Sequence, residues 1–308
     1  MLNELYQNIG IKDFMKRYGI KNAFKRGCFM TFLFHSIKNY EMKKVLWQDR
    51  VSKKIEKYLK LQNEDPEGLV FPKNISTETI WMYWNNGINN APDIVKRCYE
   101  SIVKYSEREV VVLTENNIND YIQLPKYVME KLNSGTMPLA IYTDLVRFCL
   151  LEHYGGTWMD ATILLTGKMP QIIFNSDFFV LRNSLGLLEN PVLYPVWLMH
   201  AKKKNDTVRR IRNVLFVYWK NERFLKEYLL SNIIMTKVLK QFPEIEKNIP
   251  YMNTDYSEYL IKVISDEYSV EKADWIKSLT SIHKLSYKLD VANAKGNSNL
   301  RYILREKF

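Results

Sequence analysis

The stretch LAIYTDLVRFCLLEHYGGTWMDATILLT, residues 139–166, decides the fold of this chain. Residues 139–151 are apolar nearly all round, which predicts a helix buried inside a domain. Gly155 and Gly156 follow, and glycine tolerates the left-handed backbone conformation that ends a helix. Residues 157–165 are rich in Trp, Met, Ile, Leu and Thr, which predicts a buried strand. The stretch therefore predicts a helix, a turn and a strand in the core.

Three charged residues in this stretch are difficult to solvate. Asp144 and Arg147 are the only charges in the predicted helix, and their i, i+3 spacing puts them one turn apart on the same side. Asp160 lies inside the predicted strand, where a carboxylate is costly unless another group pairs with it. Taken singly, each of these residues has a structural explanation, as an ion pair or as a turn cap. Their combination indicates a polar ligand.

The string Tyr-Gly-Gly-Thr-Trp-Met-Asp-Ala-Thr at residues 154–162, with the Asp and Arg that precede it, resembles the nucleotide-sugar site of the family-32 glycosyltransferases. It is most similar to the bacterial capsular polysaccharide synthesis branch of that family, over roughly residues 79–290. The resemblance implies an α/β, GT-A-like nucleotide-sugar-binding fold with a mostly parallel central sheet and helical insertions. It also implies a hexosyltransferase that moves a hexose from a UDP-linked donor to a growing surface or capsular glycan, with retention of anomeric configuration.

A divalent metal, Mn²⁺ or Mg²⁺, is implied by the same resemblance, although one position departs from the family's pattern. Many relatives carry an Asp-x-Asp motif whose second Asp binds the metal, whereas residues 160–162 read Asp-Ala-Thr. Near the C-terminus, residues 281–288 read SIHKLSYK. Resembling transferases place a metal ligand and a diphosphate-binding lysine at a comparable position in chain order. The metal ligands implied are Asp160, Thr162, His283 and Ser286, with Lys288 on the diphosphate.

Upstream of the central stretch, strands and helices alternate. Residues 79–84 and 109–114 predict strands, and residues 91–105 between them predict a helix, which together form a βαβ unit. Ligands of such sheets bind beyond the carboxyl ends of the strands, where Trp84 and Asn85 stand. Trp84 is suited to stack on a uracil ring and Asn85 to bind its edge. The alternative is that the tryptophans of this strand belong to the core.

The resemblance gives catalytic roles to three residues and donor binding to a larger set. The catalytic residues implied are Asp144, Arg147 and Asp160. The residues implied to bind the nucleotide sugar are Trp84, Asn85, Asp144, Arg147, Asp160 and Lys288. Downstream of the central stretch, the pattern predicts a strand at residues 177–181 and helices at residues 194–203, 206–222, 224–242 and 255–264.

Positive charge is concentrated near the N-terminus. The chain has a net charge of +11, and residues 1–60 contain 14 Lys and Arg against 5 Asp and Glu. Apolar residues recur between these lysines at helical spacing, which predicts a basic helical N-terminal region, residues 1–62. A linker at residues 63–74 and a GT-A-like domain at residues 75–308 follow. Basic faces that also carry Phe29, Phe32, Phe34 and Trp47 fit an anionic membrane surface, and packing on the main domain is the alternative.

The cysteine content and the hydropathy of the chain indicate its cellular compartment. The three cysteines are far apart and odd in number, so they predict neither a disulfide framework nor a zinc site. No apolar run reaches the roughly 18 residues of a membrane-spanning helix. We expect a cytoplasmic protein that is peripheral on the inner face of the plasma membrane. Its expected partners are a nucleotide-sugar donor, a glycan or lipid-linked oligosaccharide acceptor and an anionic membrane surface, with no nucleic acid.

Two rival functions fit parts of the sequence. A phosphotransferase that acts on hexose phosphates would use similar acidic and basic residues. A non-enzymatic polyanion-binding protein would explain the net charge of +11. The second rival leaves the buried charges of the central stretch without a purpose.

Overall fold

The computed structural model describes residues 10–33, 37–75, 78–183 and 190–308. Its centre is a five-stranded sheet in the order β2-β1-β3-β6-β5. The strands of this sheet are β1 (Ile80–Tyr83), β2 (Val110–Leu113), β3 (Gly156–Met159), β5 (Phe178–Val180) and β6 (Leu198–Ala201). β1 is parallel to β2 and β3, whereas β6 is antiparallel to its neighbours β3 and β5. A second sheet pairs β4 (Ile163–Leu165) with β7 (Ile282–Lys284) in antiparallel fashion.

Helices cover the central sheet, as the α/β prediction with a mostly parallel sheet requires. In chain order they are α1 (Gly10–Cys28), α2 (Tyr40–Leu59), α3 (Asp93–Ser106), α4 (Ile118–Tyr121), α5 (Lys126–Asn133), α6 (Leu139–His153), α7 (Gln171–Asn175), α8 (Asp206–Asn221), α9 (Leu230–Leu239), α10 (Pro243–Asn248), α11 (Thr254–Ser257), α12 (Tyr259–Lys262), α13 (Val270–Leu279) and α14 (Asn299–Leu304). A π-helical turn, Phe29–Leu33, follows α1. No helix within the described ranges is long and apolar enough to cross a membrane.

The predicted buried helix is α6, which lies in the core. Its residues from Ile141 to Leu151 are all buried. Gly155 follows it with φ of 75°, and a Cβ at this position would lie 2.7 Å from the backbone nitrogen of Lys203. Only glycine fits there, because both the backbone conformation and the space exclude a side chain. The chain therefore turns sharply from α6 into β3.

Several predicted elements differ from the structure. Residues 157–165 are not one strand, because the chain turns at Asp160 and its second half, β4, leaves the central sheet to pair with β7. Residues 194–203 were predicted to be helical and instead contain strand β6, because a short apolar run fits a buried strand as well as a helix. The predicted helix at residues 224–242 is shortened to α9, and that at residues 255–264 is divided into α11 and α12.

The N-terminal helices share one hydrophobic core with the central sheet. Trp47, Val51 and Ile55 of α2 belong to the same buried cluster as Trp81 of β1 and Phe148 of α6. Trp81 is fully buried. The packing expected as the alternative to membrane binding is thus present on one face of these helices. Phe34, which we predicted to belong to the membrane-binding face, lies outside the described residues.

Candidate active site

A cavity of about 1040 Å³ opens at the carboxyl ends of β1 and β3. Ligand sites commonly measure about 300–1,000 Å³, so this cavity is large enough for a nucleotide sugar. Eight of the nine residues that the sequence predicts for the site line it. They are Trp84, Asn85, Asp144, Arg147, Asp160, Thr162, Ser286 and Lys288. The exception is His283, which is not among the lining residues.

Arg147 joins the two predicted acids. Its Nη2 lies 3.1 Å from Asp144 Oδ1 and 3.2 Å from Asp160 Oδ1. Its Nη1 donates a hydrogen bond to the carbonyl oxygen of Val196, and its guanidinium lies over the Trp158 ring, 4.7 Å from the centroid. The structure therefore holds this arginine by two carboxylates, a carbonyl and an aromatic face, so that its orientation is fixed.

The two carboxyl groups differ in their electrostatic environment. Burial raises the pKa of Asp144, and the Arg147 charge and a 2.6 Å hydrogen bond from Ser231 Oγ offset this only in part. Burial also raises the pKa of Asp160, but the charges of Lys284 and Arg147 outweigh it, so the pKa lies below its ordinary value. Trp158 Nε1 adds a hydrogen bond of 3.0 Å to Asp160 Oδ1. Asp160 is therefore firmly ionised at neutral pH, and it faces the cavity.

Lys284 also belongs to this cluster, although the sequence did not predict it as a site residue. Its Nζ donates to Thr162 Oγ1 over 2.6 Å and to Asp160 Oδ2 over 3.1 Å. The pairing of β4 with β7 accounts for this position, because Ile163 lies opposite Lys284 in the register. Alternation of side chains along β7 is the sequence signal that could have found Lys284, since His and Lys at adjacent strand positions face opposite sides.

His283 faces the other side of β7 and is fully buried. Its Nε2 lies 3.1 Å from Thr166 Oγ1, and burial lowers its pKa to about 4. The structure does not bring His283 together with Asp160 and Thr162, contrary to the position expected for a metal ligand. Ser286 lines the cavity, where its Oγ accepts a hydrogen bond of 3.1 Å from the backbone nitrogen of Lys288.

The groups around Asp160 do not suit a Mn²⁺ or Mg²⁺ ion. Such an ion prefers several oxygen ligands, whereas the neighbours of this carboxylate are N–H groups. One carboxylate oxygen of Asp160 accepts from Arg147 and Trp158, and the other accepts from the Lys284 ammonium. In the ranges that the structure describes, no three His, Cys, Asp or Glu side chains form a group suited to a metal ion. A cation that is part of the protein thus occupies the position expected for the metal.

The cavity is also lined by the aromatic and amide groups predicted to bind the base. Trp84 follows β1, and its ring meets the Tyr287 ring edge to face, with centroids 5.6 Å apart. Asn85 Nδ2 donates to Glu115 Oε2 over 3.0 Å, and its Oδ1 accepts from the Tyr83 hydroxyl over 2.7 Å. The Asn85 side chain is therefore oriented before any ligand binds.

Helix α1 forms part of the cavity wall, which the sequence did not predict. Arg17, Tyr18 and Arg26 of α1 line the cavity together with Tyr40 of α2. Arg26 Nη1 lies 3.0 Å from Glu227 Oε2, where the Glu227 side chain is buried and the Arg26 side chain is 11% exposed. This ion pair connects α1 to the segment before α9. Residues of both basic N-terminal helices therefore form part of the cavity wall.

Comparison with known proteins gives relatives in one broad class. The model of a family described as "Capsular polysaccharide synthesis protein" matches residues 30–303. The glycosyltransferase afumC of Aspergillus fumigatus is 26% identical over 110 residues, which is 32% of this chain and 28% of that protein. The O-glycosyltransferase braB of Annulohypoxylon truncatum is 29% identical over 114 residues, 32% of this chain and 26% of that protein. The matches thus span about a quarter of the length of these curated relatives.

Solved structures show more distant similarity. The PaToxG glycosyltransferase aligns with a TM-score of 0.40 and 13% identity, and the match covers 67% of this chain and 82% of that chain. The apo form of the glycosyltransferase GlyE of Streptococcus pneumoniae TIGR4 also has a TM-score of 0.40, with 10% identity over 76% of this chain and 60% of that chain.

Proposed function

The chain belongs to the capsular polysaccharide synthesis protein family, and on this premise we propose that it is a glycosyltransferase that uses a nucleotide-sugar donor. The donor is a UDP-linked hexose, and the acceptor is a growing surface or capsular glycan, free or linked to a lipid. Anomeric configuration is retained, as in the family-32 enzymes that the central motif resembles. This activity would occur on the cytoplasmic side of the membrane that carries the acceptor.

One observation carries the proposal: a single cavity is lined both by the rings of Trp84 and Tyr287 and by a cluster of fixed charges. Trp84 and Asn85 supply a stacking face and polar atoms for a uracil ring. Lys284 and Lys288 supply positive charge for the diphosphate. Asp160 and the guanidinium of Arg147 supply acceptors and donors for sugar or ribose hydroxyls. These three sets of side chains are therefore chemically suited to the base, the diphosphate and the hydroxyl groups of a nucleotide sugar.

The residues that helix α1 exposes support the proposal that the acceptor lies at a membrane surface. Arg17, Tyr18 and Arg26 of α1 line the cavity, whereas Ile20 and Phe24, which follow the kink at Gly19 and each directly precede a lysine, are 74% and 71% accessible. Apolar side chains flanked by lysines are typical of helices that lie on anionic bilayers. A peripheral position of this kind would hold the cavity near a lipid-linked glycan.

The proposal is tested by incubating the purified protein with a panel of nucleotide sugars, both with Mn²⁺ and with EDTA. We expect slow hydrolysis of at least one UDP-sugar, with free UDP as the product. Release of UMP or of a phosphosugar would favour the hexose-phosphate phosphotransferase instead. Tight, salt-sensitive binding to heparin without hydrolysis of any nucleotide sugar would favour the polyanion-binding protein.

A further inference from the structure

Lys284 lies where the central motif would otherwise hold a metal ion. Its ammonium bridges the first and third residues of the Asp160-Ala161-Thr162 turn, at 3.1 Å from Asp160 Oδ2 and 2.6 Å from Thr162 Oγ1. The side chain of Lys284 is 22% exposed, and it lines the cavity. An ammonium group has three N–H donors, and these two contacts use two of them. The third donor remains for a ligand in the cavity.

Lys284 balances the negative charge of the turn at residues 160–162. An Asp-x-Asp turn that holds a divalent cation combines two negative charges with two positive ones. Here Thr162 contributes a neutral hydroxyl, Asp160 one negative charge and Lys284 one positive charge. A divalent ion placed between Asp160 and Thr162 would displace the ammonium or be repelled by it at close range. The replacement of the second acid and the presence of Lys284 are therefore complementary features.

We propose that Lys284 is a catalytic residue that replaces the divalent cation, so that this chain binds the donor diphosphate and transfers the sugar without added metal. The inference rests on the proposed function. In the reaction, the bond between the anomeric carbon and the β-phosphate oxygen breaks, and its electron pair stays on the phosphate. The acceptor hydroxyl oxygen forms the new bond to carbon, and its proton leaves on the departing phosphate. Lys284 stabilises the negative charge that develops on that phosphate.

Binding measurements separate this inference from the proposed function. We would measure calorimetric affinity for UDP and for inorganic pyrophosphate in EDTA, using wild type, Lys284→Met, Lys284→Arg and the control Lys277→Met. Lys277 lies on α13 outside the cavity and pairs with Asp274. We expect wild type and the control to bind both probes, Lys284→Met to bind at least about tenfold more weakly, and Lys284→Arg to recover most of the affinity, on the scale of charge-assisted hydrogen bonds.

A rebuilt motif gives a second test. The double variant Thr162→Asp with Lys284→Ala supplies the second acid and removes the ammonium, so its binding of UDP should become dependent on Mn²⁺ by about tenfold or more. Hydrolysis of the active nucleotide sugar by wild type should be the same in EDTA as in Mn²⁺, within about twofold, and Lys284→Met should lose about a hundredfold.

The outcomes distinguish the two claims. Binding in EDTA that does not depend on Lys284, or binding by wild type only with Mn²⁺, overturns the inference and leaves the glycosyltransferase proposal intact. Binding of both probes in EDTA through Lys284, without hydrolysis of any nucleotide sugar, supports the diphosphate site and contradicts the proposed function.

Discussion

Trp84 and Tyr287 meet edge to face in the lining of the cavity, with ring centroids 5.6 Å apart. Trp84 follows β1 of the central sheet, whereas Tyr287 follows β7 of the small sheet. Their contact joins the start of the βαβ unit to the C-terminal segment. The same segment carries Lys284 and Lys288, so the predicted base and diphosphate sites share one wall.

Replacing Trp84 with Ala tests the base site. If the indole stacks on uracil, the variant should bind UDP more weakly by roughly 1–3 kcal/mol, the magnitude found for base stacking on aromatic side chains. Calorimetry measures the affinity. The matched control is Trp275→Ala, because Trp275 is 51% exposed on α13 and lies outside the cavity. Equal affinity of folded Trp84→Ala and wild type would remove Trp84 from the site.

The exposed side of α1 gives a prediction about membrane binding. The double variant Ile20→Ser with Phe24→Ser should sediment less with anionic vesicles, because each buried side chain contributes roughly 1.5–3 kcal/mol and each nearby lysine about 1 kcal/mol. The control is Ile172→Ser with Val270→Ser, which removes comparably exposed apolar residues from other helices. Vesicle binding unchanged in the α1 variant, or equally weakened in the control, would mean that α1 does not face the membrane.

Burial of His283 predicts a pH-dependent stability. Burial lowers its pKa to about 4 in the folded chain, below the ordinary value of 6.5. As the pH falls from 6.5 toward 4, this histidine is protonated in the unfolded chain before it is protonated in the folded chain. The folding stability that is present above pH 6.5 is therefore lost toward pH 4. His283→Leu should reduce the loss between about pH 7 and about pH 5 by about 2 kcal/mol. Denaturant unfolding at both pH values measures it, and an identical loss in the variant would contradict the assignment.

The central motif could be predicted from the sequence because its signals are local. The apolar stretch before Gly155 and the adjacent glycines specify α6 and its end, and the isolated charges mark the cavity. The turn at Asp160 could not be predicted in the same way, because β4 leaves the sheet only through its pairing with β7, more than a hundred residues later. Non-local pairing of this kind leaves no periodicity in a short window.

Lys284 and the N-terminal wall were missed for related reasons. The interpretation of residues 281–288 selected His283 by residue type, whereas strand alternation decides which side chain faces the cavity. Arg17 and Arg26 belong to the basic N-terminal region, for which the sequence favours either a membrane surface or packing on the main domain. Their places at the cavity follow from tertiary packing of α1, including the ion pair of Arg26 with Glu227.

Asp160→Asn tests the electrostatic environment of the turn. On sequence grounds alone, this substitution relieves an unpaired buried charge and leaves the melting temperature unchanged or higher. The structure pairs Asp160 with Arg147 and Lys284, so neutralisation leaves Lys284 without the carboxylate it pairs with and leaves Arg147 with Asp144 alone. The structure therefore predicts thermal unfolding at a lower temperature, by an amount equivalent to about 1–2 kcal/mol. Asp177→Asn is the control, since Asp177 is exposed and pairs only at the surface with Lys202. A higher melting temperature of Asp160→Asn would contradict the pairing.

The rate of nucleotide-sugar hydrolysis by Asp160→Asn tests the central claim, that this turn is the donor site of a glycosyltransferase. The substitution keeps the shape of the side chain and removes the charge that orients Lys284 and Arg147. We expect folded Asp160→Asn to lose at least about a hundredfold in turnover, on the scale of an electrostatic catalytic group, while Asp177→Asn keeps the wild-type rate. A rate for Asp160→Asn near that of wild type would contradict the assignment of the site, and the resemblance would then concern the fold alone.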